Sequence, residues 1–426
     1  MYEDMEVTKG TGRFGPFIKW NGMFINVNKK YDFDNLSNDD IIELIEVKKQ
    51  KEVDKVIHNW EEEGIRIEKA RWGRHNVIKG KVKVELAKTV DVVNMSLEED
   101  FLVPVSDKVL AHNELLPSQA IGKNTHIHTE KDGLPVLANA TVAIIGVRES
   151  RNAYEKKHDK LDVSAIRLQF YKLLIGNWNA TIVDLGDIEE GATVNDTYFV
   201  VKEVVAGLLE EHVIPIILGA TQDITYPAYR AFDGIRDMIN LVAIDSRFDF
   251  GIEDELISSH SYMSKIITDK PNNLFNFSNI GYQSYFNAQE EIDLMERLFF
   301  DAYRLGEVAN DISLAEPVLR NAHMVSLDLR SVKASEISSS ANFSPNGFNG
   351  REICAISRYA GISDKVSVFG LYEMENTVQS QQLIAQIIWY FIEGINFRIK
   401  ESPYTKTDDF VKYNVPSEDE ELVFYK

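Results

Sequence analysis

Residues 241–250 read LVAIDSRFDF. The apolar run 241–244 leads straight into Asp245, and Asp249 follows four positions later. A short continuous apolar run ending in an acidic turn is the pattern of a parallel strand buried on both faces. Such a strand delivers its carboxylates at its C-terminal end, where open α/β sheets bind ligands. Three further runs share the form. Residues 213–219 (VIPIILG) lead to Thr221, Gln222 and Asp223. Residues 323–329 (HMVSLDL) carry Asp328 and lead to Arg330. Residues 366–372 (VSVFGLY) lead to Glu373. Four strand ends, each with a polar group, predict one convergent site.

Strands and helices alternate around these runs. Strands are predicted over 142–147 and 180–185. Helices are predicted over 163–175, 198–211, 226–235, 258–267, 288–298, 350–359 and 379–396. Alternation of this kind predicts an α/β domain whose mainly parallel sheet is covered on both faces.

The blocks Gly219-Ala220-Thr221-Gln222-Asp223, Asp245-Ser246-Arg247-Phe248-Asp249 and Ser326-Leu327-Asp328-Leu329-Arg330 come in the order and spacing of three family motifs. Over residues of about 139–397 the chain resembles the ureohydrolase family of arginase, agmatinase and formimidoylglutamase. The resemblance implies a three-layer α/β/α domain. It also implies a site where Gly-Gly-Asp-His-Ser, Asp-Ala-His-x-Asp and Ser-x-Asp-x-Asp blocks hold two manganese ions around a hydroxide. This chain departs from that pattern. Gln222 and Arg247 stand where the family has histidines, and Arg330 stands where it has an aspartate. Asp245, Asp249 and Asp328 remain. Arginine cannot ligate a metal, because its guanidinium stays protonated and offers no lone pair.

Two readings follow. In the first, the chain is a non-catalytic relative that needs no metal cofactor. Arg247 and Arg330 then supply the positive charge that the three carboxylates require. Glu373 matches a family glutamate that holds the substrate, so a small guanidino or amidine ligand is expected. In the second, one Mn²⁺ held by Asp245, Asp249, Asp328 and Gln222 supports an active hydrolase of C–N bonds in amidines or guanidines, of formimidoylglutamase or arginase type. His260, in Ser258-Ser259-His260-Ser261, matches a family loop histidine that assists turnover, although the family's glycines are missing around it. Asp223 and Glu375 are further acidic candidates, and residues 344–350 (SPNGFNG) read as a rigid loop at the rim.

The 426-residue chain has a net charge of −21, and residues 1–94 are electrically balanced, so the acidic excess lies in the remainder. That asymmetry separates two modules and makes the acidic part a poor nucleic-acid binder. The start, MYEDMEV, lacks the pattern of a secretory signal. Residues 383–392 (LIAQIIWYFI) are too short to span a bilayer. The single cysteine, Cys354, excludes an internal disulfide and fits a reducing cytoplasm, with its thiol packed as a small hydrophobe. No membrane partner is expected, and a homo-oligomer is compatible with the sequence.

Residues 1–94 have their own pattern. Residues 12–20 (GRFGPFIKW) alternate aromatic and basic side chains, Asn21-Gly22 is a hairpin turn, and residues 23–27 form the return strand. Residues 37–40 (SNDD) cap a helix that the periodicity extends over 41–60. Arg71-Trp72-Gly73 then repeats Arg13-Phe14-Gly15 with a period of about 58 residues. The pair resembles the C-terminal repeats of bacterial topoisomerase I, small β-rich units. That resemblance implies contact with single-stranded DNA through Arg13, Phe14, Phe17, Lys19, Trp20, Arg71, Trp72 and Arg74. Aromatics beside Arg and Lys suit base stacking with phosphate contact. The same aromatics equally suit a very small core. Residues 95–138 read as a connecting segment ahead of the 139–426 domain, and His126 and His128 in it read as ordinary surface.

Overall fold

The computed structural model describes residues 2, 7–12, 15–28, 30–33, 35–53, 55–60, 65–69, 75–79, 82–86, 101–154, 160–236, 238–251, 257–338, 343–399, 411–416 and 421–425. The chain divides into two compact units, Met1–Ser96 and Leu97–Lys426.

The first unit holds two small antiparallel sheets. One is β1 (Val7–Gly12), β2 (Gly15–Trp20) and β3 (Met23–Asn26). Asn21 and Gly22 both have positive φ, as the tight turn between β2 and β3 requires. Alternate residues Ile18, Trp20, Ile25 and Val27 turn inward and meet Leu44 and Ile45 of the helix Asn38–Val53. Ser37 caps that helix. Its Oγ accepts from Asp40 N at 3.1 Å, and Asp40 Oδ2 accepts from Ser37 N at 3.0 Å. The predicted helix over 41–60 is too long. Its last five residues instead form β4 (Val56–Trp60), which opens a four-stranded sheet with β5 (Ile65–Lys69), β6 (His75–Lys79) and β7 (Val82–Leu86). Pairing with β5 decides this segment, which local helical periodicity cannot anticipate.

The second unit is built on a nine-stranded sheet. Its strands are β8 (Thr125–Ile127), β9 (Val142–Val147), β10 (Ile182–Ile188), β11 (Ile214–Gly219), β12 (Ile239–Ile244), β13 (Leu274–Tyr282), β14 (Asp301–Arg304), β15 (Met324–Asp328) and β16 (Val368–Tyr372). Every pair in it is parallel, and the order is β14-β13-β12-β15-β16-β11-β9-β10-β8. Alternate residues of one strand serve two cores. Val142 and Ile144 pack with the helices Val163–Tyr171, Gly350–Ile362 and Val378–Ile395, whereas Ala143 and Ile145 pack with the helices Val194–Glu210 and Tyr262–Thr268. The result is three layers, α/β/α. A separate hairpin, β17 (Lys412–Pro416) and β18 (Glu421–Tyr425), follows.

Residues 101–138 are not a linker. β8 pairs with β10, and Val103 N donates to Asp187 O at 2.8 Å, so this stretch completes one side of the sheet. His128 is not surface either: it is buried, with Nδ1 3.0 Å from Leu185 O. A buried ionic network lies beside it in the sheet. Arg167 donates Nε and Nη2 to the two oxygens of Asp184 at 2.8 and 2.9 Å, and Nη1 to Asp187 Oδ1 at 2.6 Å. Arg148 closes on Asp187 Oδ2 at 2.6 Å, and Tyr171 Oη donates to Asp184 Oδ2 at 2.8 Å. Every charge in it is matched, as buried ions require.

Candidate functional site

Four neighbouring strands, β12, β15, β16 and β11, end on the same edge of the sheet. Asp245 follows β12, Asp328 closes β15, Glu373 follows β16, and Gln222 sits three residues beyond β11. All four are buried. Gly219 lets the ends close up, since a Cβ there would lie 2.6 Å from the Tyr372 ring. Asp249 and Glu373 both have left-handed backbones, with φ of 54° and 56°. Non-glycine residues adopt that region only where surrounding contacts enforce it.

Arg330 lies at the centre of the charge distribution. Nε donates to Asp328 Oδ2 at 2.8 Å, and Nη2 lies 2.6 Å from the same oxygen and 3.7 Å from Glu373 Oε1. Its backbone N–H donates to Asp328 Oδ1 at 2.6 Å. Burial works against the guanidinium charge, but Asp328 and Glu373 outweigh it and hold the group well above the ordinary arginine range. Burial raises the Asp328 carboxyl to about 7 in spite of Arg330. Nη1 donates to His260 Nε2 at 2.6 Å, so His260 is neutral and carries its proton on Nδ1. Burial and then the charges of Arg330 and Arg247 push His260 down to about 3. With its Nε2 lone pair engaged, His260 cannot serve as a general base there. Its ring stacks on Tyr154 at 4.2 Å.

Arg247 does not share this role. Its backbone N–H donates to Asp245 Oδ1 at 2.9 Å, but its guanidinium turns away. Nη1 donates to Phe286 O at 2.8 Å, and the guanidinium carbon sits 4.7 Å over the Phe286 ring. The expectation of two arginines on three carboxylates is therefore corrected to one. Asp245 Oδ2, both carboxylate oxygens of Asp249 and Gln222 Oε1 have no hydrogen-bond donor among the described residues. Burial raises the Asp245 carboxyl, and burial with the Asp245 charge raises Asp249 well above the usual range. Gln222 Nε2 is turned toward Tyr262 Oη at 3.1 Å and Ser326 Oγ at 3.4 Å, and Gln222 N donates to Glu373 Oε1 at 3.2 Å. Burial lifts Asp223 to about 6, and it accepts from the Tyr198 hydroxyl. Sequence reasoning missed Tyr154, Tyr198 and Tyr262. No signal short of the fold marks them, because each lies far along the chain from its partner: Tyr154 from His260, Tyr198 from Asp223 and Tyr262 from Gln222. The 344–350 loop does reach the rim: Asn346 O accepts from Gln283 Nε2 at 3.1 Å, and Gln283 N donates to Ser246 O at 3.0 Å.

In the first unit, Arg13, Phe14, Arg71, Trp72 and Arg74 lie outside the described residues. Trp20 is not a stacking surface. It is 3% exposed, its Nε1 donates to Tyr2 O at 3.0 Å, and Lys49 covers its ring. The opposite face of the sheet is the open one. Phe24, 59% exposed and missed in the sequence, packs edge-on against Phe17, and the Lys19 ammonium lies 5.4 Å over it.

A sequence model described as the arginase family matches residues 140–393. The chain belongs to the arginase family. Its fold is also that of solved arginase-family structures. Formiminoglutamase of Trypanosoma cruzi, solved with Mn²⁺, superposes with a TM-score of 0.56 at 17% identity, over 61% of this chain and 95% of that one. Formimidoylglutamase of Bacillus subtilis gives 0.55 at 16% identity, over 61% and 88%. Agmatine ureohydrolase of Thermoplasma volcanium gives 0.54 at 17%, over 70% and 99%. Residues 3–55 match a model of the topoisomerase C-terminal repeat. Here DNA topoisomerase 1 of Rickettsia conorii is 58% identical over 48 residues, and that of Rickettsia bellii 60% over 43. Those stretches are 6% and 5% of the topoisomerases' length, so only a repeat is shared.

The dinuclear centre expected of the arginase family does not fit these residues. Among the described residues no group of three or more His, Cys, Asp or Glu side chains is placed to hold one metal ion. A guanidinium occupies Asp328, and the positions of both imidazoles hold side chains without them. No helix among the described residues is long and apolar enough to cross a membrane.

Proposed function

We propose that this arginase-family chain is a pseudoenzyme that binds a small amidinium or guanidinium ligand without a dinuclear metal centre. One observation carries the reading. Arg330 neutralises the Asp328 side of the site, while Asp245 Oδ2, Asp249 Oδ1 and Oδ2 and Gln222 Oε1 form a buried oxygen-rich set that no side chain outside Asp245, Asp249 and Gln222 donates to among the described residues, with the raised Asp249 carboxyl close enough to share a proton with Asp245. A planar cation with several N–H groups matches such a set, and Glu373 lies at its edge. The second reading, an active hydrolase, rests on the same oxygens: they are hard donors of the kind Mn²⁺ accepts. Equilibrium dialysis against micromolar Mn²⁺, followed by elemental analysis, separates the two. The pseudoenzyme retains less than one equivalent and is stabilised by methylguanidinium or acetamidinium, an effect lost in Glu373→Gln. One or two retained equivalents with a large thermal shift overturn it.

For the first unit, the proposal is weak binding of single-stranded DNA on the Phe17–Phe24–Lys19 face. The exposed Phe24 ring under the Lys19 ammonium, edge-on to the half-buried Phe17, supports it. The buried lone thiol of Cys354, raised to about 12 by burial, fits a cytoplasmic setting.

A further inference from the structure

A cleft opens on the same edge of the sheet as the carboxylate site. It lies beyond the C-terminal ends of β13 and β14, encloses about 460 Å³, and is lined by Arg304, Lys333, Glu307, Tyr285, Asn346 and the short helix Leu305–Asn310. Its charges are unspent. Among the described residues the Lys333 ammonium and the Glu307 carboxylate make no hydrogen bond or ion pair, and Arg304 donates only one hydrogen bond, from Nη2 to Ser284 Oγ at 3.0 Å. The fourth charge, Glu352, is committed elsewhere, accepting from Asn349 N at 2.9 Å to cap the helix Gly350–Ile362. Two unpaired cations and one unpaired carboxylate therefore line one cleft without pairing with each other. The rest of the lining includes Leu305, Ala309 and the rings of Tyr282 and Tyr285, which suits an apolar group.

We propose that this cleft binds a free α-amino acid with a medium or large apolar side chain. The carboxylate would lie between Arg304 and Lys333, and the ammonium at Glu307. The volume exceeds what a glycine or alanine fills, and a dianion would leave Glu307 opposed by like charge. The cleft is separate from the carboxylate site but touches its frame. Gln283, whose backbone N–H holds Ser246 O, and Asn346 form the wall between them.

The test uses the full chain and isothermal titration with three probes: L-phenylalanine, 3-phenylpropionate, which keeps only the carboxylate, and 2-phenylethylamine, which keeps only the ammonium. L-Phenylalanine should bind saturably and at least tenfold more tightly than either half-probe. Arg304→Ala with Lys333→Ala should abolish its binding. Glu307→Gln should weaken L-phenylalanine severalfold and leave 3-phenylpropionate unchanged. All three positions are at the surface or half-buried, so the variants should fold, and circular dichroism checks that. Equal binding of L-phenylalanine and 3-phenylpropionate overturns the zwitterion assignment. Binding that survives the double variant places it elsewhere, and no saturable binding overturns the site. None of these outcomes depends on metal or methylguanidinium binding at Asp245 and Asp249.

Discussion

Arg330→Ala is the sharpest perturbation of the carboxylate site. It leaves Asp328 buried without its cation, and breaking such a pair costs about 3–5 kcal/mol. The cost should depend on pH. Moving the Asp328 carboxyl from 3.8 to about 7 corresponds to about 4 kcal/mol of differential interaction between its two forms. Because the folded value lies above the unfolded one, the folded state holds the extra proton. The Asp328 contribution to stability therefore falls as pH rises from about 4 to 7, then levels off once Asp328 is ionised in both states. Without Arg330 the folded value moves higher, so the variant loses more stability above pH 7 than the parent does. Urea unfolding at pH 5, 7 and 8.5 reads this directly. The difference should be smallest at pH 5 and reach several kcal/mol at pH 8.5. A loss that is the same at all three values, or absent, refutes the account of Arg330 as the charge that replaces metal.

Three further outcomes are expected. The triple change Gln222→His, Arg247→His and Arg330→Asp restores the family's ligand types and should create Mn²⁺ affinity measurable by calorimetry; the parent should show much less. Trp20→Ala should unfold the first unit, whereas Phe24→Ala should leave its circular dichroism unchanged and weaken single-stranded DNA binding by about 1–3 kcal/mol at low salt. Arg167→Met strands Asp184 and part of Asp187 in the core, so its urea midpoint should fall by the equivalent of about 3–5 kcal/mol; an unchanged midpoint would show that the network adds nothing.

The parallel sheet was readable because its strands are apolar on both faces. Residues 142–147 were placed to the residue, and Asp245, Asp328 and Glu373 were placed at strand ends because each follows an unbroken apolar run. Side-chain direction was not readable. Arg247 and Arg330 hold similar places in their blocks, yet one turns to Phe286 and the other to Asp328, and only the neighbouring loops decide which. Phe17 and Trp20 both stand in the expected DNA-contact set, although period-two alternation puts them on opposite faces of β2; which face the helix Asn38–Val53 covers is not written in that alternation. Arg167 in an amphipathic helix reads as surface until β10 brings two aspartates to it.

The left-handed turns at Asp249 and Glu373 bear on how a ligand would be received. A backbone held in that region by its surroundings is already ordered before anything binds, with the strain of order 1–3 kcal/mol at each residue absorbed during folding. A ligand therefore has little loop entropy to remove at these two carboxylates, and its affinity is set by contacts and desolvation. Calorimetry would register this as a small change in conformational entropy. Amide exchange at residues 249 and 373 should change little between the free and bound chain, a receptor that keeps its shape while waiting.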